Sequence, residues 1–317
     1  MNSIYSILTL ILLLAGSSIV IDGCSIRFSP KPEGTLSLSI TDAPAQQVSQ
    51  VLVTLSHIEI FQDDGSSQRI ELDDLEINNL LNLDGDNALR IIRREEVPAG
   101  DFESLRIYFS RGNSNQVTER GGGQFPLLLP GQQPGNLREA YLESATDFTV
   151  ADNQHQHLTI DIDLLRGLHK PDPGYYRLIP ALRLIENANA GSIEGEVDPA
   201  LVTAADCNND NAADEGRGIG NLVYLYEDHD ALTGDIYLDQ NARPLSAGNP
   251  VTVAAVQQLA GESEYRYTVG FLPAGDYTLA FTCQGLSDQP LAQDSLRFDR
   301  SYNLSVTAGS RLEQDIQ

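Results

Sequence analysis

Gly34-Thr35-Leu36-Ser37-Leu38-Ser39-Ile40-Thr41-Asp42-Ala43-Pro44 decides the fold class of this chain. Leu36, Leu38 and Ile40 fall on one side of an extended backbone and Ser37, Ser39 and Thr41 on the other, the period-two pattern of a half-buried antiparallel strand. Asp42-Ala43-Pro44 then ends it, because proline brings no N–H to a ladder. Working outward, strands are expected at 51–60, 104–110, 125–129, 147–150, 157–164 and 175–185. Residues 75–83 read as a short helix or turn before Asp84-Gly85-Asp86-Asn87, and 111–137 as a long loop around its one apolar strand.

Asn187-Ala188-Asn189-Ala190-Gly191 lacks any apolar pattern and marks a domain boundary. Beyond it the expected strands lie at 222–226, 265–271, 277–282 and 302–306. Short strands, turns and no long helical period give an all-β chain with two antiparallel β-sandwich domains, over 34–187 and 191–317. Val97-Pro98-Ala99-Gly100-Asp101-Phe102 and Leu272-Pro273-Ala274-Gly275-Asp276-Tyr277 repeat one turn phrase, each with an aromatic residue opening a strand. Six positions are too few to prove a duplication.

The amino end reads as an export signal. Residues 4–21 are apolar but are interrupted by Gly16, Ser17 and Ser18 and stop at Asp22-Gly23-Cys24, which suits a signal peptide over 1–23 better than a membrane span. Ile21, Gly23 and Cys24 resemble a bacterial lipobox, which implies a lipid anchor on Cys24 and a short lipidated tether over 24–33. The match departs from the pattern in having no Lys or Arg before Arg27 and an Asp at position 22. Ser25, by resemblance to lipoprotein sorting, implies the outer membrane, with the face left open.

The segment 34–60 with Thr41-Asp42-Ala43-Pro44, together with Pro98-Ala99-Gly100-Asp101-Phe102, Asp161-Ile162-Asp163 and Pro180-Ala181-Leu182-Arg183, resembles the bacterial domain of unknown function DUF4382 over roughly 33–187. That family brings no activity or catalytic residues. The opening Gly191-x-Ile193-x-Gly195-x-Val197 and the later Leu-Pro-Ala-Gly-Asp-Tyr resemble the carboxypeptidase-regulatory or transthyretin-like sandwiches, which are similar in fold to starch-binding modules.

The net charge of −25, from 45 Asp plus Glu against 20 Lys plus Arg, excludes nucleic acid as an expected partner. No Gly-x-Ser-x-Gly, His-Glu-x-x-His, phosphate loop or Cys-x-x-Cys is present, so no enzyme is expected. His155 and His157 share a strand face and have the spacing to ligate one zinc ion, or simply form a solvated face. Asp206, Asn208 and Asp210, with Asp214 or Glu215, alternate as calcium ligands do, although Asn211 and Arg217 break the helix-loop-helix pattern. Calcium is the one cofactor these residues suggest. Tyr175, Tyr176, Tyr224 and Tyr226 are the candidate ligand platform in a chain without Trp. Cys207 and Cys283 remain once Cys24 is set aside, and an exported compartment favours their disulfide. The resulting expectation is a membrane-anchored, non-catalytic binding or interaction protein, with carbohydrate as one ligand class. A structural or protein-interaction role, and a metal-dependent hydrolase, are the alternatives.

Overall fold

The computed structural model describes residues 31–45, 47–112, 114–210, 219–258 and 262–317. Residues 32–317 form one compact unit. Signal peptide, lipobox and Cys24 lie outside the described residues, as do Asp214 and Glu215. Among the described residues no helix is long and apolar enough to cross a membrane.

The protein is all β, as its alternation demanded. The first half runs β1 (Glu33–Ala43), β2 (Val48–Gln62), β3 (Ser67–Ile77), β4 (Leu89–Pro98), β5 (Gly100–Phe109), β6 (Gln116–Glu119) and β7 (Gln124–Leu128). It continues with β8 (Ala140–Ser144), β9 (Phe148–Val150), β10 (His155–Asp163), β11 (Leu168–Asp172), β12 (Tyr175–Leu178) and β13 (Leu182–Glu186). A four-stranded sheet, β13-β10-β1-β4, faces a nine-stranded one ordered β11-β12-β7-β6-β2-β5-β8, with β3 also on β2 and β9 on β5. Leu36, Leu38 and Ile40 of β1 are fully buried between them with Ile58, Ile60, Leu105 and Ile107.

The second half contains β14 (Ala190–Val197), β15 (Leu222–Glu227), β16 (Thr252–Ala255), β17 (Gln257–Gln258), β18 (Tyr265–Pro273), β19 (Gly275–Thr282), β20 (Arg300–Val306) and β21 (Arg311–Glu313). Its two four-stranded sheets are β17-β18-β14-β21 and β16-β15-β19-β20. Ile193, Val223, Leu225, Leu279 and Phe281 fill the space between. Cys207 and Cys283 are joined as expected, with Cα atoms 5.0 Å apart.

Three departures from the sequence reading have physical causes. Most ladders are antiparallel, but β1/β10, β7/β12 and β14/β21 run parallel. The polar face of β1 is not solvated: Ser37, Ser39 and Thr41 are buried because the chain around 83–94 folds over them. There the Arg94 N–H donates to Ser37 Oγ at 3.0 Å, and the Thr41 hydroxyl donates to the Leu83 and Asn87 carbonyls at 2.6 and 2.7 Å. The helix or turn expected at 75–83 is one 3-10 turn, Leu80–Asn82, capped by Asn79, but its first three residues, 75–77, still belong to β3.

The two turn phrases occupy equivalent places. Each ends a strand antiparallel to the first strand of its half, β4 on β1 and β18 on β14. Each alanine N–H donates at 2.9 Å to the residue just before that strand or at its foot, Ala99 to Pro32 and Ala274 to Asn189. Phe102 and Tyr277 both enter the core. The correspondence extends to the sheets, since β4-β1-β10 and β2-β5-β8 match β18-β14-β21 and β15-β19-β20 in order and direction.

Candidate functional site

Polar groups crowd where the two halves meet. The polar Asp84–Asn87 turn docks on β18: a Cβ at Gly270 would overlap the Gly85 carbonyl oxygen. Asp84 accepts from Gln257, and Asp86 pairs with Arg311. Beside this contact a cavity of about 240 Å³ is lined by Asp42, Asp161 and Arg183. Asp42, Asp161 and Asp163 are each at most 4% exposed. Arg183 pairs with Asp161, and Arg166 lies 3.9 Å from Asp163. Burial, then the charges of Asp161 and Asp163, holds the Asp42 carboxyl far above its usual range, and burial lifts Asp163 to about 6. Two carboxyls that resist ionisation and two arginines make this a structural polar core.

A larger groove, about 620 Å³, opens on the same seam. One wall is the β11–β12 hairpin. Pro171 and Pro173 restrict its turn, and the Asp172 carboxylate accepts the Gly174 N–H at 2.8 Å. His169 pairs with Arg177 across the ladder. Behind the wall, Lys170 Nζ and the Tyr176 hydroxyl both donate to Glu119 Oε1, at 2.6 and 2.7 Å, and Lys170 lies 3.7 Å above the Phe125 ring. These two donors hold the Glu119 carboxyl below the usual carboxylate range, and burial, then Glu119, pushes the Tyr176 phenol well up. Burial holds the His169 imidazole below its usual range. The floor is Leu164, Leu165 and Leu168, and the facing wall is the 285–291 turn with Gln240.

The residues singled out in the sequence are dispersed among these features. Tyr175 is half-buried in the groove and Tyr176 is buried with its hydroxyl on Glu119. Tyr224 and Tyr226 are a correction: both are at most 2% exposed, because loops from 228–250 and 284–299 cover the outer face of the β15 sheet and bury them with Ile236 and Leu238. Their hydroxyls donate to Asp288 and to the Gly234 carbonyl. They present no ring to a ligand.

His155 sits on Thr35 Oγ1 and His157 on Ser39 Oγ, both at 3.0 Å. The Arg90 guanidinium lies 3.4 Å from both nitrogens of His157, and among the described residues no third His, Cys, Asp or Glu joins the pair at ligand distance, so the pair is a correction too. The Asp206, Asn208, Asp210 series does not converge: Asp206 is taken by Arg297, Asn208 donates to Ser287 at 2.7 Å, and Asp210 enters a bridge with Ile219. Among the described residues the group of three acids whose ligand oxygens come together is instead Asp235, Asp288 and Asp294. Sequence spacing could not find it, because its members lie on two separate covering loops.

Residues 33–180 match the model of a family described as a domain of unknown function, DUF4382, in agreement with the resemblance carried by Thr41-Asp42-Ala43-Pro44 and Pro98-Ala99-Gly100-Asp101-Phe102. No curated protein matches the sequence. Among solved structures, the Bacillus anthracis TIE protein aligns at 9% identity with a TM-score of 0.19, over 90% of this chain and 34% of its own, so this chain spans about a third of that protein. BcpA, the major pilin subunit of Bacillus cereus, aligns at 10% identity over 90% of this chain and 69% of its own, TM-score 0.20. The fimbrial anchor protein Mfa2 from Porphyromonas gingivalis aligns at 11% identity over 79% and 78%, TM-score 0.19. At these scores the likeness assigns no function.

Proposed function

We propose that this protein is a lipid-anchored, non-catalytic binding protein of the outer membrane whose seam groove takes a carbohydrate chain. The lining of the groove carries the reading: the Tyr175 ring, the amides of Gln47, Gln240 and Gln289, and the Arg177 guanidinium surround an apolar floor. A sugar ring offers C–H faces that pack on an aromatic ring and hydroxyls that pair with planar amides and guanidinium. Hydrolysis of a glycosidic bond uses two carboxylates, whereas Asp288 is the one carboxylate in this lining and is pinned by Tyr224. Among the described residues no Ser, Thr or Cys lines the groove to act as a nucleophile. The apolar run at 4–21, followed by Asp22-Gly23-Cys24, supports the anchor, and the second half, which resembles the transthyretin-like sandwiches in its sequence, supplies the facing wall.

The test is retention of the mature chain on immobilised polysaccharides and a glycan array. Tyr175→Ala and Gln289→Ala should each weaken retention about tenfold, an effect of ~1.4 kcal/mol, while Tyr141→Ala, at an exposed tyrosine of β8, should leave it unchanged. Retention indifferent to both groove variants places the ligand elsewhere. Capture of an outer-membrane protein through the same residues, with no glycan retained, replaces carbohydrate by protein, and turnover of a polysaccharide overturns the non-catalytic reading. Intact mass of membrane-extracted protein should show residues 1–23 gone and acyl mass added.

A further inference from the structure

We infer that Asp235, Asp288 and Asp294 form a binding site for a hard divalent cation of calcium's size, buried under the loops that cover the second half. One carboxylate oxygen from each lies within 4.8 Å of the others. Oxygens at 2.3–2.6 Å from a shared Ca²⁺ stand up to about 5 Å apart across the ion, while the shorter Mg²⁺ bonds bring them to about 4 Å. An all-carboxylate set selects a hard ion over zinc or copper.

The framework around the three acids orients them. Asp288 Oδ2 accepts the Tyr224 hydroxyl at 2.5 Å and the Ile236 N–H at 3.3 Å. Asp235 Oδ2 accepts the Asp294 N–H, and Asp294 Oδ2 accepts the Gln289 N–H at 2.7 Å. Each carboxylate is thus held by one oxygen, with lone pairs left over.

An independent observation points to a ligand. Asp288 is 8% exposed, yet its Oδ1 is buried with no hydrogen-bond partner. With Oδ2 occupied, Oδ1 is the oxygen that Asp288 has left to offer the cluster. Buried carboxylate oxygens are costly to leave unpaired. No arginine or lysine among the described residues pairs with any of the three acids at salt-bridge distance. Arg166 feels the Asp288 charge but spends Nη1 on the Val251 carbonyl at 3.3 Å. A divalent cation supplies both the missing partner for Oδ1 and the missing counter-charge. Because Asp288 also lines the groove beside Gln289 and Pro290, the ion would fix that wall. The inference stands whatever the groove holds.

The experiment is calorimetric titration of chelator-stripped mature protein with CaCl₂ at physiological salt, repeated with MgCl₂. One Ca²⁺ per chain should bind with Kd of about 10⁻³ M or tighter, the range that extracellular calcium modules reach. Asp235→Asn and Asp294→Asn should each weaken it about tenfold or more and abolish the Ca²⁺-dependent rise in melting temperature. Asp206→Asn, at the exposed acid paired with Arg297, should change neither. Tb³⁺ luminescence keeps the test independent of whether the variants fold: emission sensitised by Tyr224 should appear in the wild type, be displaced by Ca²⁺, and fall in Tyr224→Phe. Absence of saturable heat and of sensitised emission overturns the site. So does Ca²⁺ affinity that survives the double variant Asp235→Asn/Asp294→Asn, which would leave the ions spread over an acidic surface.

Discussion

Reducing the Cys207–Cys283 disulfide should destabilise the folded chain by about 4 to 5 kcal/mol. The two cysteines are 76 residues apart. Closing a loop of that length removes about 15 cal/mol/K from the unfolded ensemble, or about 4.5 kcal/mol at 25 °C, in the chain-entropy account. The native side of the balance is favourable, because Cys283 is fully buried in the core at the end of β19 and Cys207 packs against the same cluster. Urea unfolding of the oxidised and reduced wild type measures the bond alone. The double variant Cys207→Ala/Cys283→Ala adds the smaller cost of the missing sulfurs. At about 2–4 °C per kcal/mol for a unit of this size, reduction should lower the melting temperature by roughly 10 °C or more. The urea dependence should also steepen, since the reduced chain unfolds to a more open ensemble. If the reduced protein is within about 1 kcal/mol of the oxidised one with an unchanged slope, the reasoning fails: the unfolded 207–283 segment would then be compact without its cross-link.

Gly270→Ala should loosen the seam, because its Cβ would strike the Gly85 carbonyl, a backbone atom that cannot swing aside. A loss of about 1–3 kcal/mol with faster amide exchange at 84–87 is expected, whereas Gly121→Ala, with open space around its Cβ, should be neutral; equal behaviour of the two would mean that the turn does not dock. Acid should favour the fold through Asp163, whose carboxyl is raised by burial to about 6 while its unfolded value is near 3.8. The sign follows from the raised value: between about pH 4 and 6 the unfolded chain gives up the proton first, so stability falls as pH rises, by about 3 kcal/mol at most. Asp163→Asn should flatten the profile of melting temperature against pH in that window, and a profile parallel to the wild type would show that Asp163 ionises freely.

The fold was legible wherever one residue pair sets one face. Leu36, Leu38 and Ile40 defined β1, and Tyr265–Pro273 and Gly275–Thr282 were readable almost to their ends. β3 and β4 were not, because Glu71, Asp73, Asp74 and Arg93 to Glu96 expose their side chains and interrupt any apolar period. The tyrosines show a different limit. Alternation correctly set Tyr224 and Tyr226 on one strand face, but that face is covered by segments of low hydrophobic pattern that dock through Ile236, Leu238 and Phe298. The groove and the acid trio were illegible for the same reason, since their walls come from loops whose contacts are tertiary.

The two halves share one topology, and polar groups collect where they meet. In each half the first strand runs beside a strand that ends in the Pro-Ala-Gly-Asp turn and is parallel to a later strand. At the far end of β1 and β10 the buried Asp42, Asp161 and Asp163 take their partners from the first half, the Leu164 N–H, Arg183 and the Arg166 N–H, and each keeps one buried oxygen without a hydrogen bond. The second half covers that end with β16 and β18 and contributes Gln257 and Arg311 to the acidic 84–86 turn. Burying these carboxyls costs stability that an apolar joint would not cost, while apolar packing also crosses the seam, where Leu165 joins Leu222, Tyr224 and Val253 in one cluster, so the register of the joint rests on both. A groove placed on such a joint takes one wall from each half, the β11–β12 hairpin and the 285–291 turn, and its width depends on that register. Gly270→Ala therefore reaches beyond stability: by shifting the joint it should weaken retention of the groove's ligand without altering a single lining residue.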